Sequence, residues 1–221
     1  MFVKVCGLAT TADIDVAAEA GADAVGLVIS GTSVRGLGRD RVAELVAHVP
    51  DGVLSVLVVN DTPAVEAAGI AAALGFGALQ LHGRAYGPGE FGAAAGVFPR
   101  LWRATALADG PDTRVGALGE EVLLLDSPRA GSGARWDLSL LDAARPEGHW
   151  LLAGGLGPGN VAGAIAAARP WGVDVSSGVE SAPGVKDHAL IRAFVAAAKA
   201  AAASPATGSA PAQPSGAPAG P

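Results

Sequence analysis

This 221-residue chain has a single cysteine, Cys6, so no disulfide can form within it. It is also poor in aromatic residues (5%) and in charge (16%), with 15 Lys and Arg against 21 Asp and Glu. A net charge of -6 without any basic stripe argues against a nucleic-acid surface. No apolar run of about 18 residues is present, so no membrane span is expected. No basic segment precedes an apolar signal core and a strand begins at Phe2, which leads us to expect no targeting peptide and a cytoplasmic protein. The four histidines (His48, His82, His149, His188) lack metal-ligand spacing, and no metal is expected. A Gly-x-Gly-x-x-Gly fingerprint after the first strand and a P-loop lysine are both missing, so no nucleotide cofactor is expected either.

What is there begins with short apolar runs rich in Val and Leu, alternating with Ala-rich segments. Eight strands are predicted: Phe2–Cys6, Ala24–Ile29, Leu54–Val59, Ala78–Leu81, Phe98–Arg103, Val122–Leu125, Trp150–Leu152 and Val173–Val175. Most are continuously hydrophobic, as parallel strands covered by helices are. Helices are predicted over Asp13–Ala20, Asp40–His48, Ala64–Leu74, Gly89–Ala95, Leu138–Ala144, Asn160–Ala168 and Asp187–Lys199. The helical signal is weakest between the fifth and sixth strands. Thr62 is expected to cap the third helix with Pro63 in its first turn, and Gly21 and Gly75 to end helices. Asn160 is a candidate cap for the sixth.

This order predicts a single-domain (β/α)₈ barrel over residues 1–199, with a doubly wound open sheet as the competing arrangement. From Ala200 to Pro221 the chain is almost wholly Ala, Pro, Gly and Ser, a composition that cannot offset the entropy of ordering, and a disordered tail is expected. The barrel is favoured by where the polar residues fall. Cys6-Gly7, Asn60-Asp61, His82-Gly83, Asp126-Ser127, Gly154-Gly155 and Ser176-Ser177-Gly178 all stand at the carboxyl ends of strands, which converge on one mouth in a barrel.

At that mouth Cys6 is either a small buried filler or a reactive thiol. Lys4 stands two residues before it, yet the sequence alone names no group that would stabilise a thiolate. Asp126 ends a buried apolar strand, where desolvation favours a proton donor; its alternative is to cap the Ser127-Pro128 turn. The glycine-rich runs Ala153–Pro158 and Asp174–Glu180 follow strands seven and eight, the usual phosphate site of such barrels. Arg35 could grip a carboxylate with its planar fork. His82 ends the fourth strand as a residue able to line the pocket.

Together these blocks resemble the phosphoribosylanthranilate isomerase family. The resemblance runs in order from Lys4-Val5-Cys6-Gly7 through Gly21–Gly26, Ser33-Val34-Arg35, Gln80–Gly83, Leu125-Asp126-Ser127, Ala153–Leu156 and Asp174–Glu180 to Gly184–Asp187. It implies an Amadori rearrangement of N-(5-phosphoribosyl)anthranilate without metal or cofactor. Cys6 would be the general base and Asp126 the general acid, and Arg35 would hold the anthranilate carboxylate. Backbone around Gly154, Gly155, Ser177 and Gly178 would bind phosphate, with Asp174 near the sugar or amine.

Three positions depart from the family pattern. Val34 replaces a proline, no aromatic residue ends the second strand, and Arg135 stands where a lysine is usual. The alternatives are a phosphate-binding barrel lyase or synthase, and a non-enzymatic barrel that kept its ligand pocket. The partner expected is a small phosphorylated molecule. Monomer and homodimer are equally open, since Ala-rich helix faces pack on their own barrel or on a partner alike.

Overall fold

A computed structural model describes residues 1–126, 141 and 145–203. Eight strands close into a parallel barrel in chain order: β1 Phe2–Cys6, β2 Ala24–Ile29, β3 Leu54–Val59, β4 Ala78–His82, β5 Leu101–Ala106, β6 Val122–Asp126, β7 Trp150–Leu152 and β8 Gly172–Val175. Closure comes from β8 pairing back on β1, with Lys4 opposite Asp174 and Val5 opposite Val175. The open doubly wound sheet is therefore excluded.

The helices are α1 Thr11–Glu19, α2 Arg39–His48, α3 Ala64–Leu74, α4 Pro88–Ala95, α5 Val161–Ala168 and α6 His188–Ala203. The helix predicted over Leu138–Ala144 falls outside the described residues, except for the buried, helical Leu141. Alternation along each strand divides two cores. Val3, Val5, Leu27, Leu57, Leu79, Leu123 and Leu152 face the helices, whereas Cys6, Val28, Val56, Trp102, Leu124 and Leu151 fill the barrel. Phe2 stacks on Trp171 with ring centroids 4.5 Å apart and meets Trp102 edge-on, which closes the amino-terminal end. The carboxyl ends remain the open side.

Four local expectations need correction. The fifth strand starts at Leu101 rather than Phe98, because Pro99 cannot donate to a ladder and the chain pairs only from Leu101 opposite Leu79. The strand then runs past Arg103, where it was expected to end, through the polar Thr105 to Ala106. The cap of α3 is Pro63 rather than Thr62, whose carbonyl instead accepts from the Tyr86 hydroxyl at 2.7 Å. Asn160 occupies the cap position of α5 but bonds no helix-end amide. Finally, α6 continues to Ala203, beyond Lys199, so the tail cannot begin at Ala200; residues 204–221 lie outside those described.

Gly21 and Gly75 do follow helix ends in left-handed conformations, with φ of 92° and 72°. Between β5 and β6 no α-helix forms among the described residues. A 3₁₀ turn over Leu107–Asp109 and a loop take its place. Arg103 holds that loop by pairing with buried Glu120 at 2.7 Å and donating to the carbonyls of Asp112 and Arg114.

Candidate active site

The carboxyl ends of the strands surround a cavity of about 340 Å³. Cys6, Arg35, His82, Asp126, Gly154, Gly155, Asp174, Ser177 and Gly178 all line it. Nine residues singled out from sequence are thus brought together at one mouth; Arg135 lies outside the described residues. Cys6 ends β1 and Asp126 ends β6, with β7 and β8 between them around the barrel. A thiol and a carboxyl therefore face a common space from separate walls.

Lys4 is the group beside Cys6 that the sequence did not name. Two residues apart on one strand, both side chains point inward. Lys4 is fully buried, and its Nζ donates to Asp174 Oδ1 at 2.7 Å. A Cβ placed on Gly26 would lie 2.7 Å from Cys6 Sγ and 3.2 Å from Lys4 Nζ, so the absent side chain makes room for both groups. Burial opposes the Lys4 charge, but Asp174 and Cys6 outweigh it and raise the pKa of the ammonium. Burial pushes the Cys6 thiol up; Lys4 and Lys186 pull it down, and Asp174 adds to the upward shift, which prevails. Burial also lowers the pKa of His82, which favours a neutral ring on the cavity wall.

Arg35 reaches the cavity from the loop after β2. Its Nε and Nη2 donate to the two oxygens of Glu180 at 2.6 and 2.7 Å. Glu180 begins a small antiparallel hairpin, β9 Glu180–Ala182 and β10 Val185–Lys186, which is too short to register as a pattern in the sequence. Lys186 Nζ donates to the same carboxylate at 2.8 Å and to the Ser176 carbonyl at 3.0 Å. Burial works against the Glu180 charge, but hydrogen bonds from Arg35 and Lys186 hold its pKa down to about 2. The loop carrying Arg35 is tethered from the loop after β3, where Asp61 accepts from Ser30, Gly31 and Thr32.

The two glycine-rich loops meet backbone to backbone. A Cβ on Gly178 would lie 1.8 Å from the Leu156 carbonyl oxygen, so no other residue fits there. Gly154 and Gly155 both have positive φ, 81° and 64°. Asn160 ties this loop rather than the helix: its Oδ1 accepts from Gly157 N–H and its Nδ2 donates to the Gly155 carbonyl, both at 2.8 Å. A second, more open recess over Gly155, Gly157, Ser177 and Gly178 adjoins the cavity. Closely approachable backbone of this kind suits a phosphate.

Gln80 is another site residue that sequence reasoning missed. It lines the cavity, and its buried Oε1 has no hydrogen-bond partner among the described residues. Its position before Leu81 and His82 on β4, two residues from the mouth, was the available signal. Among the described residues no group of acidic, Cys or His side chains forms a metal site, and no helix is long and apolar enough to cross a membrane.

Comparison with known proteins comes to one result. The family model described as N-(5'phosphoribosyl)anthranilate (PRA) isomerase matches residues 3–197. An N-(5'-phosphoribosyl)anthranilate isomerase of Beijerinckia indica is 42% identical over 210 residues, covering 90% of this chain and 94% of the relative. The crystal structure of TrpF from Jonesia denitrificans superposes with a TM-score of 0.86 at 52% identity, covering 91% and 98% of the two chains. A phosphoribosyl anthranilate isomerase solved in complex with reduced 1-(o-carboxyphenylamino)-1-deoxyribulose 5-phosphate gives 0.73 at 31% identity, covering 90% and 99%.

Proposed function

The chain belongs to the N-(5'-phosphoribosyl)anthranilate isomerase family, and from that premise we propose that Cys6 and Asp126 are the general base and general acid of its reaction. The protein isomerises N-(5'-phosphoribosyl)anthranilate to 1-(2-carboxyphenylamino)-1-deoxyribulose 5-phosphate. The observation that carries the assignment is the shared cavity, with the thiol on β1, the carboxyl on β6 and the glycine loops at its rim. The family match over residues 3–197 favours this reading over the lyase, synthase and non-enzymatic alternatives.

The substrate has two anionic ends, and the cavity offers a place for each. Backbone around Gly154, Gly155, Ser177 and Gly178 receives the phosphate, and the fork of Arg35 receives the anthranilate carboxylate. The sugar then lies between Cys6 and Asp126. Gln80 Oε1 is an acceptor for a sugar hydroxyl, and Asp174, held by Lys4, faces the sugar or the amine.

Chemistry starts with a proton from Asp126 to the furanose oxygen. The C1–O bond breaks as the anthranilate nitrogen lone pair forms a C1=N double bond, giving a protonated Schiff base. That cation acidifies the C2 proton, which the Cys6 thiolate removes; the C2–H electrons form a C1=C2 bond and neutralise the nitrogen. The resulting enolamine gains a proton at C1 and loses one from the C2 hydroxyl to become the ketose. The iminium is the electron sink, so this chain's side chains need only move protons. Lys4 places a positive charge where the thiolate forms.

Substrate deuterated at C2 tests the assignment. Native protein should break the C2–D bond as the ketose forms, while Cys6→Ser should leave it intact at least ~100-fold longer, the scale of positioned acid–base catalysis. Native-like C2–D cleavage by Cys6→Ser would remove the thiol from the mechanism.

A further inference from the structure

Arg35 and Glu180 are 145 residues apart in sequence, yet they form a two-point ion pair at the cavity rim. The Glu180 carboxylate is saturated on the protein side: besides Arg35 it accepts from Lys186 Nζ at 2.8 Å and from Gly184 N–H at 3.2 Å. Lys186, with its side chain fully buried, also grips the Ser176 carbonyl, one residue before the phosphate loop pair Ser177-Gly178. Ser176 Oγ in turn donates to the carbonyl of Cys6 at 3.1 Å. A Cβ on Gly7 would fall 2.6 Å from Arg35 Cδ, so the arginine stem crosses the end of β1 through a space kept open by glycine. One connected set of contacts thus runs from the arginine through the hairpin to the phosphate loop and the base-bearing strand.

We infer that Glu180 is a positioning residue for substrate binding, fixing the Arg35 fork toward the anthranilate carboxylate. The inference rests on Arg35 being the carboxylate clamp. An unpaired arginine must lose side-chain freedom when it grips a ligand, and a bidentate partner removes that cost before the ligand arrives. Using Nε and Nη2 for Glu180 leaves Nη1 without a hydrogen bond to a described residue, while the side chain still lines the cavity. Glu180 touches no reacting atom in this arrangement. It acts through Arg35.

The test is a double-variant cycle with freshly generated substrate, read as KM and kcat separately, with inhibition by inorganic phosphate as an independent probe of the phosphate loops. Glu180→Gln should raise KM by about 10-fold or more, the scale of a charge-assisted hydrogen bond, with kcat changed far less. Phosphate inhibition should stay near native. Arg35→Ala should also raise KM, and adding Glu180→Gln to it should cost little more, because the two residues form one unit. Glu180→Asp, which keeps the charge, should recover part of the loss and serves as the test variant if the glutamine form does not fold. An unchanged KM in Glu180→Gln beside a raised KM in Arg35→Ala overturns the positioning role alone. So do losses that multiply in the double variant, or phosphate inhibition that weakens in step with KM, since both mark a merely structural residue. An unchanged KM in Arg35→Ala overturns the clamp and the positioning role with it.

Discussion

Lys4 Nζ lies 2.7 Å from Asp174 Oδ1 inside the barrel, with the Cys6 thiol on the same face of the same strand. The lysine is fully buried, so its charge acts through protein rather than through water. It is the main force opposing the desolvation that pushes the thiol up.

Titration of Cys6 follows from this pairing. Because Cys6 is the chain's only cysteine, the rate of alkylation by a small reagent reports on it alone. The rate should rise with pH and reach its midpoint above that of a free cysteine, because burial outweighs the pull of Lys4 and the net shift is upward. Lys4→Met removes the nearby positive charge, so its midpoint should move further up and its thiolate fraction at neutral pH should fall. A midpoint that stays in place in Lys4→Met would show that the lysine does not act on the thiol.

Gly26 is predicted to be intolerant of even one methyl group. Its Cβ position is 2.7 Å from Cys6 Sγ and 3.2 Å from both Cys6 Cα and Lys4 Nζ, so Gly26→Ala must displace the base or separate β1 from β2. A displacement of about 1 Å at a reacting group costs on the order of 100-fold in rate. The expected result is a folded variant by circular dichroism with kcat down by about that factor. A native kcat would mean that the thiol does not depend on this space.

The barrel was legible because seven of its eight strands are apolar runs that coincide with their observed positions to within a residue at either end. The fifth was misplaced for a physical reason. Phe98 is apolar but precedes Pro99, and the expected strand stopped at Arg103, a charged residue that the return of Glu120 from 17 residues further on allows to be buried. The site was legible where chemistry sat at strand ends, as with Cys6, His82, Asp126 and the glycine loops. Lys4 was half legible, since strand alternation puts it beside Cys6. Its partner Asp174 becomes apparent only when β8 closes on β1. Glu180 and Lys186 were hidden because their hairpin has strands of three and two residues, too short for periodicity to mark.

Stability should depend heavily on the Arg103–Glu120 pair. Both side chains are buried, at 8% and 0% exposure, and Glu120 also accepts from Leu118 N–H at 2.8 Å. Glu120→Ala leaves an unpaired buried guanidinium, which costs about 3–5 kcal/mol. Urea unfolding should report that loss, and replacing both partners by apolar residues of similar volume should restore much of it. A loss under about 1 kcal/mol in Glu120→Ala would place the pair among weak surface bridges.

In the proposed reaction a thiol and a carboxyl on separate walls of one cavity divide the proton transfers between them. Turnover of freshly generated N-(5'-phosphoribosyl)anthranilate by Cys6→Ser and Asp126→Asn, each beside the native protein, tests it most directly. Each variant should lose at least ~100-fold in kcat, the contribution expected of a positioned acid or base. Native turnover in either variant would contradict the account for that residue.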